Sequence, residues 1–180
     1  MRVGRAKELF RALTQQYFGG ANVVFANQSR TAKQKEPLVV LTPGNVHRPQ
    51  APNYTFVDGE VVGHYLSRFS ITVDLFTNGS PVVDEVSGKV VAYEDNAVDD
   101  MLSFADFLNS EHTVQWSHQN DVSILIDGDV LNLTGVVNDT SYEFRSRLTV
   151  QFYFTQKAVG ASTALLESSL QYPTCLLYTS

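Results

Sequence analysis

The chain has 180 residues, a hydrophobic fraction of 43% and a formal net charge of −6, so it is long and apolar enough to bury a core. These totals exclude disorder for the body of the chain and argue against a general nucleic-acid binder, which usually has a basic face. No signal peptide or membrane-spanning segment is visible in the sequence.

The N-terminal part predicts a helix followed by a short strand. Apolar residues between Ala6 and Tyr17 recur at helical spacing, which indicates one buried helix face. Gly19 and Gly20 are expected to end this helix. The apolar run within residues 22–26 is typical of a strand.

The next segment alternates between loop and strand signals. Residues 27–36 are polar and basic, which predicts an exposed loop that becomes ordered only on assembly. Residues 37–42 return to strand composition. Pro43 and Gly44 indicate a turn, and the prolines that follow predict an irregular stretch.

Residues 63–77 form the first strong strand signal, because apolar and polar side chains alternate along them. Asn78 and Gly79 predict the turn that closes this strand. Two valine-rich pieces within residues 81–92 predict a small hairpin.

Residues 97–108 predict a second helix. Asp95 or Asn96 is expected to cap it, and Asp99 and Asp100 lie in its first turn, where the helix dipole favours negative charge. The predicted apolar face consists of Val98, Met101, Leu102, Ala105 and Leu108, widened by Phe104 and Phe107.

Several strands are expected after this helix. Residues 113–116 and 122–126 have strand composition, and Asp127 with Gly128 predicts a hairpin turn into residues 130–137. The longest alternation, residues 142–155, predicts a half-buried antiparallel strand with Phe144, Leu148, Val150 and Phe152 in the core. Residues 158–169 are compatible with a last short helix.

This element order predicts an α+β fold, a mostly antiparallel β-sheet flanked by two or three helices. We expect a single domain over residues 1–174, since no repeat or linker is visible. The tail, residues 175–180, is the peptide that a common sequencing-adapter DNA would encode, so it is interpreted as adapter-derived. Cys175, the one cysteine, lies within it.

No catalytic, cofactor-binding or metal-binding motif is recognisable. His47, His64, His112 and His118 lack metalloprotease or zinc-finger spacing, and Cys175 has no placed base. We therefore expect no enzyme activity and no cofactor.

The informative polar residues are arginines. Arg145 and Arg147 lie beside Glu143 on the polar face of the long predicted strand, where guanidinium groups can form fork-like pairs with carboxylates. Such pairs are either weak surface features of one subunit or contacts that fix register between subunits. The interface hypothesis includes the basic loop residues as well, which gives Arg145, Arg147, Glu143, Arg30, Lys33 and Lys35.

The run 142–155, Tyr-Glu-Phe-Arg-Ser-Arg-Leu-Thr-Val-Gln-Phe-Tyr-Phe-Thr, resembles a C-terminal strand of the tail-terminator or neck-terminator proteins of tailed bacteriophages. The N-terminal helix, the strand ending at Phe76 and the helix 97–108 are similar in order. The resemblance extends over residues 6–156, although the valine-rich insertion after Asn78 is longer than expected.

The resemblance implies a structural virion protein of the tail or neck, assembled in the host bacterial cytoplasm. Such subunits form a homo-oligomeric ring, commonly a hexamer, that caps the tail tube and joins tail to head. The implied partners are copies of itself, the tail tube protein and the head–tail connector. DNA would pass through the ring without specific binding, and no membrane or cofactor is implied.

Two other functions remain open from the sequence. One is a different connector or completion protein of the phage neck, which would differ in its partner. The other is a small enzyme with a site built from scattered residues, which a bound metal or a deep pocket would favour.

Overall fold

A computed structural model describes residues 1–26, 37–49, 51–58, 60–138 and 141–159. These residues form a mixed α+β structure with a mostly antiparallel sheet, which confirms the predicted fold class. The helices are α1 Val3–Tyr17, α2 Ala97–Leu108 and α3 Glu111–Asn120. The strands are β1 Asn22–Phe25, β2 Leu38–His47, β3 Asn53–Val57, β4 Glu60–Thr77, β5 Ser80–Val83, β6 Val90–Glu94, β7 Val122–Ile126, β8 Leu131–Asn132, β9 Gly135–Asn138 and β10 Ser141–Val159.

Two long strands, β4 and β10, form the centre of the main sheet. They pair antiparallel from Val62 opposite Val159 to Thr77 opposite Phe144. The sheet continues through β2 and the parallel strand β1 on one side and through β7 on the other. β3 extends the sheet beside the first residues of β4, while β8 and β9 pair with the first part of β10.

The core lies between the helices and one face of this sheet. Alternation along β10 buries Ser146, Leu148, Val150, Phe152 and Phe154, as period-two strand geometry requires. The ring of Phe10 on α1 meets the ring of Phe152 edge-on at 5.8 Å. The hydroxyl of Ser146 donates to the carbonyl of Ala97 at the start of α2. Phe144, predicted to lie in the core, is only partly buried near the end of the ladder.

The predicted strand 113–116 is wrong, because these residues lie in α3. Their β-branched and aromatic side chains favour strands, which explains the strand prediction. However, the side chain of Ser110 accepts a hydrogen bond from the backbone N–H of Thr113 at 3.4 Å, and Asp121 ends the helix in the left-handed conformation. Local capping and packing of the buried Thr113 thus override composition.

The turn predicted at Pro43 and Gly44 is also wrong, because β2 continues through both residues to His47. The register with β4 shifts between Pro43 and Val46, so the strand contains a bulge instead of a turn. A Cβ atom on Gly44 would lie 2.4 Å from the side-chain oxygen of Ser70. Glycine therefore permits the close approach of the two strands.

Asp127 and Gly128 do not form the predicted hairpin between two paired strands. β7 and β8 instead lie one after the other along the same edge of β10. The predicted strand 130–137 is divided between β8 and β9. Of the predicted last helix, residues 158 and 159 belong to β10, and the remainder lies outside the described residues, as does the tail 175–180.

The small predicted hairpin is confirmed as β5 and β6, which form a separate two-stranded sheet. The N-terminal helix and the strand 22–26 are confirmed as well. β3 was not anticipated, because Asn53 and the prolines before it lowered the strand signal of Tyr54, Phe56 and Val57.

Asp95 anchors the start of α2, as the capping analysis predicted for this position. One of its carboxylate oxygens accepts a hydrogen bond from the backbone N–H of Ala97 at 3.0 Å, and the other accepts one from the hydroxyl of Thr134 at 2.7 Å. Asn96, the alternative cap, makes no side-chain cap hydrogen bond. The helix is thereby tied to the segment between β8 and β9.

We predict that Asp95→Ala lowers the free energy of unfolding by about 1–2 kcal/mol, because it removes the cap of α2 and the bond to Thr134. Urea denaturation followed by circular dichroism measures the change. Asp99→Ala is the control, since Asp99 lies in the same helical turn but is exposed, and its loss should have a smaller effect. Equal destabilisation by both substitutions would contradict the assigned role of Asp95.

Candidate functional site

The face of the sheet opposite the core has a charged centre on β4 and β10. Period-two geometry that buries Ser146 and Leu148 places Arg145, Arg147 and Thr149 on this second face. The same alternation on β4 brings Asp74 directly opposite Arg147 in the antiparallel register. Asp74, Arg145 and Arg147 are called the Asp74 cluster below.

Both arginines bind the same carboxylate. Nη2 of Arg145 donates to Oδ1 of Asp74 at 2.9 Å, and Nε of Arg147 donates to the same oxygen at 2.8 Å. Nη2 of Arg147 also donates to Oδ2 of Asp74 at 3.2 Å, which makes that pair bidentate. Asp74 thus holds both guanidinium groups in defined positions.

The Asp74 cluster has a surplus positive charge, because two guanidinium groups share one carboxylate. The side chain of Asp74 is only 6% exposed, whereas those of Arg145 and Arg147 are 30% and 36% exposed. The guanidinium of Arg145 also lies 4.8 Å from the ring centre of Phe76. Part of each arginine therefore remains available to a second carboxylate.

The backbone of Arg145 is hydrogen-bonded on the edge of β10 that lies next to β8 and β9. Its N–H donates to the hydroxyl oxygen of Thr134 at 3.0 Å, and that hydroxyl donates in turn to Asp95 at 2.7 Å. A hydrogen-bonded connection thus runs from the start of α2 to the strand segment that bears the cluster. These hydrogen bonds hold the backbone of Arg145 in place.

The other predicted interface residues are placed differently. Glu143 lies two residues before Arg145 on β10 with a partly buried side chain. Arg30, Lys33 and Lys35 lie outside the described residues, as does the whole predicted loop 27–36.

Sequence reasoning missed Asp74 as the partner of both arginines. Its position among the polar residues of β4 was the available signal, since Asp74 alternates with the buried Val73 and Leu75. The pairing itself depends on the register between strands that are about 70 residues apart in sequence, and alternation alone does not determine that register.

Two other acidic residues, Asp84 in the turn of the β5–β6 hairpin and Asp100 on α2, have different surroundings. Hydrogen bonds from the Ser87 side chain and from the backbone of Val86 and Ser87 lower the pKa of Asp84, so this exposed carboxyl stays charged. Burial, followed by the nearby charge of Asp99, raises the pKa of Asp100.

Within the described part of the chain, no group of three or more His, Cys, Asp or Glu side chains could hold a metal ion. Two histidines have a polar side chain within hydrogen-bonding distance. Nε2 of His64 lies 2.7 Å from the hydroxyl oxygen of Thr55, and Nε2 of His112 lies 3.1 Å from Nε2 of Gln16. None of the described helices is long and apolar enough to cross a membrane.

Comparison with known proteins gives one family. Residues 7–169 match the family model described as phage neck terminator protein. No curated protein matches the chain. The matched range contains both long strands, all three described helices except the first residues of α1, and the Asp74 cluster.

Proposed function

Because the chain belongs to the phage neck terminator protein family, we propose that it forms a ring that caps the tail tube and joins the tail to the head. Membership of this family makes it a structural protein of the phage neck or tail, in agreement with the resemblance of the strand 142–155. We propose in addition that the ring is a hexamer and that it contacts the tube protein and the head–tail connector. DNA would pass through the ring without specific binding.

The observation that best supports self-association is the Asp74 cluster on the uncovered face of the sheet. An antiparallel sheet can simply leave one face to water, but such a face does not need two arginines on one carboxylate. Arginine is enriched in protein interfaces, where its planar fork matches a carboxylate. The cluster holds two such forks in place, which lowers the entropy lost when a partner binds.

The partner group in this proposal is a carboxylate of a neighbouring copy. The chain has 19 acidic and 13 basic residues, so acidic groups are plentiful on its surface. Glu143 would extend the contact along β10, and Arg30, Lys33 and Lys35 would extend it from the loop 27–36. A ring subunit uses two different surfaces, one for each neighbour, and the ring closes by rotation.

The variant that tests this interface must keep the local fold. Reversing both arginine charges would put three carboxylates together at Asp74, so loss of assembly could simply reflect unfolding. We therefore choose the triple substitution Asp74→Asn, Arg145→Gln and Arg147→Gln, which removes all three charges and retains amide groups that can hydrogen-bond.

We predict that the triple variant folds but no longer forms rings at tube ends. Circular dichroism checks the fold, and mass measurement of the assembled species checks the ring, expected at about 120 kDa for six copies of this chain. The matched control is Glu8→Gln with Arg11→Gln, which neutralises an exposed ion pair of 2.8 Å on α1. A folded triple variant that still assembles like this control would show that the cluster is not the interface.

A further inference from the structure

The β5–β6 hairpin is a well-formed element with almost no apolar support of its own. Every residue of both strands is exposed, and Val86 at the tip is 96% exposed. A two-stranded hairpin is at best marginally stable alone in water. The exposed apolar side chains of this hairpin are Val82, Val83, Val86, Val90, Val91 and Tyr93.

The direction of the hairpin is fixed at its base. Gly79 has φ of +74°, and a Cβ atom there would lie 2.4 Å from the carbonyl oxygen of Glu94 and 2.6 Å from the ring of Phe144. Glycine is therefore required for the chain to leave β4 at this point. The hairpin consequently lies at the end of the central ladder where Thr77 pairs with Phe144.

A groove of about 640 Å³ lies at the other end of the same ladder, between α3, the start of β7 and the paired strands β4 and β10. Leu66 and Val114, two apolar residues of its lining, are 61% and 48% exposed. His64 and Lys157, which pair across β4 and β10, line it as well. From His64 to Thr77 an extended strand covers about 40 Å, so hairpin and groove cannot meet within one subunit.

The hairpin is acidic, whereas the groove is not. The hairpin, residues 80–94, has three carboxylates and one lysine, with the carboxylates of Asp84 and Glu85 next to the apolar tip. In the groove the charges of Lys157 and Asp121 balance, and His64 and His118 add two imidazole groups that can donate hydrogen bonds. The ammonium and imidazole groups of the groove can pair with the carboxylates of the hairpin, and the apolar lining of the groove can pack against the valines of the hairpin.

We propose that the β5–β6 hairpin of one subunit docks in this groove of the next copy of the same chain. The two surfaces are different and lie at opposite ends of the subunit, so the contact is head-to-tail and propagates from copy to copy. This inference rests on the proposed ring and assigns both sides of its subunit contact. The Asp74 cluster lies near the hairpin end of β4 and β10.

Crosslinking tests the contact in the full chain. In a Cys175→Ser background, subunits with Val86→Cys are mixed with subunits with Val114→Cys, assembled on tube ends and treated with a short bismaleimide. We expect a linked dimer from the mixture, and a ladder of larger linked species from a variant that contains both cysteines. Rings of normal mass in which both thiols react but no linked species forms would overturn the proposal.

The matched control replaces the groove cysteine by Leu102→Cys on α2, a residue with the same 48% exposure as Val114. This control should give no ladder with Val86→Cys, and an equal ladder would mean that the crosslinks are nonspecific and would overturn the assignment. Alkylation of Val114→Cys should be rapid in the isolated subunit and slow after assembly. Slow alkylation in the isolated subunit would mean that its own residues fill the groove, which also overturns the proposal.

A second variant separates this contact from the ring itself. Val86→Ser with Val91→Ser removes apolar groups from the hairpin, and we expect at least a tenfold loss of ring formation with unchanged circular dichroism. Normal rings from this variant would overturn the hairpin contact and leave the proposed function intact. If the unsubstituted chain forms no ring on tube ends, the proposed function itself fails, and the contact fails with it.

Discussion

Phe152→Ala is expected to lower the free energy of unfolding by about 3–5 kcal/mol, the range for truncating a buried aromatic residue. Phe152 is fully buried, and its ring lies 5.8 Å from that of Phe10 on α1 and 5.5 Å from that of Phe69 on β4. The substitution therefore leaves a cavity where α1 meets both central strands. Chemical denaturation with urea measures the loss.

The control for this substitution is the next residue along the strand. Tyr153 lies on the opposite face, is partly exposed, and accepts a long hydrogen bond of 3.4 Å from Arg68. We expect Tyr153→Ala to change stability by only about 1 kcal/mol. Near wild-type stability of Phe152→Ala, or a larger loss in Tyr153→Ala, would contradict the assignment of core and outer faces to β10.

Asp74→Ala is expected to lower the free energy of unfolding by about 1.5–3 kcal/mol, the range for hydrogen bonds to charged groups. The substitution removes the one carboxylate that binds both Arg145 and Arg147, and it leaves two like charges side by side. We do not expect the larger loss of a fully buried ion pair, because both guanidinium groups can regain water.

The size of this effect should depend on salt. Ions screen the repulsion between the two partly exposed arginines, so Asp74→Ala should be less destabilising at high ionic strength. Glu8→Ala, which breaks an exposed ion pair with Arg11, should change stability by less than about 1 kcal/mol. Equal effects of Asp74→Ala and Glu8→Ala would show that the cluster adds no more than an ordinary surface pair.

Periodicity predicted the elements with the strongest alternation. α1, β4 and β10 follow from apolar spacing alone, since each has one face fully committed to the core. α3 was misassigned because its helical periodicity is weak and Thr113, Val114 and Trp116 favour strands. Pro43 and Gly44 gave a turn signal, although the same residues also suit a bulge in a continuous strand.

The candidate site was only half predictable. Arg145 and Arg147 stand out in the sequence because they are two arginines on the polar side of a long alternation. Asp74 and Thr134 could not be assigned to them, since both contacts depend on tertiary register. The groove beside Leu66 has no sequence signal at all, because it is formed where separate strands and α3 end.

In the proposed function, this subunit ends the tail tube on the side that faces the head. The most direct measurement is electron microscopy of tubes assembled with and without the gold-labelled full chain. We predict tubes of limited length, each labelled at one end only, and longer tubes when the subunit is omitted. Label distributed along the tube, or unchanged tube length with label found only on the connector, would contradict the claim.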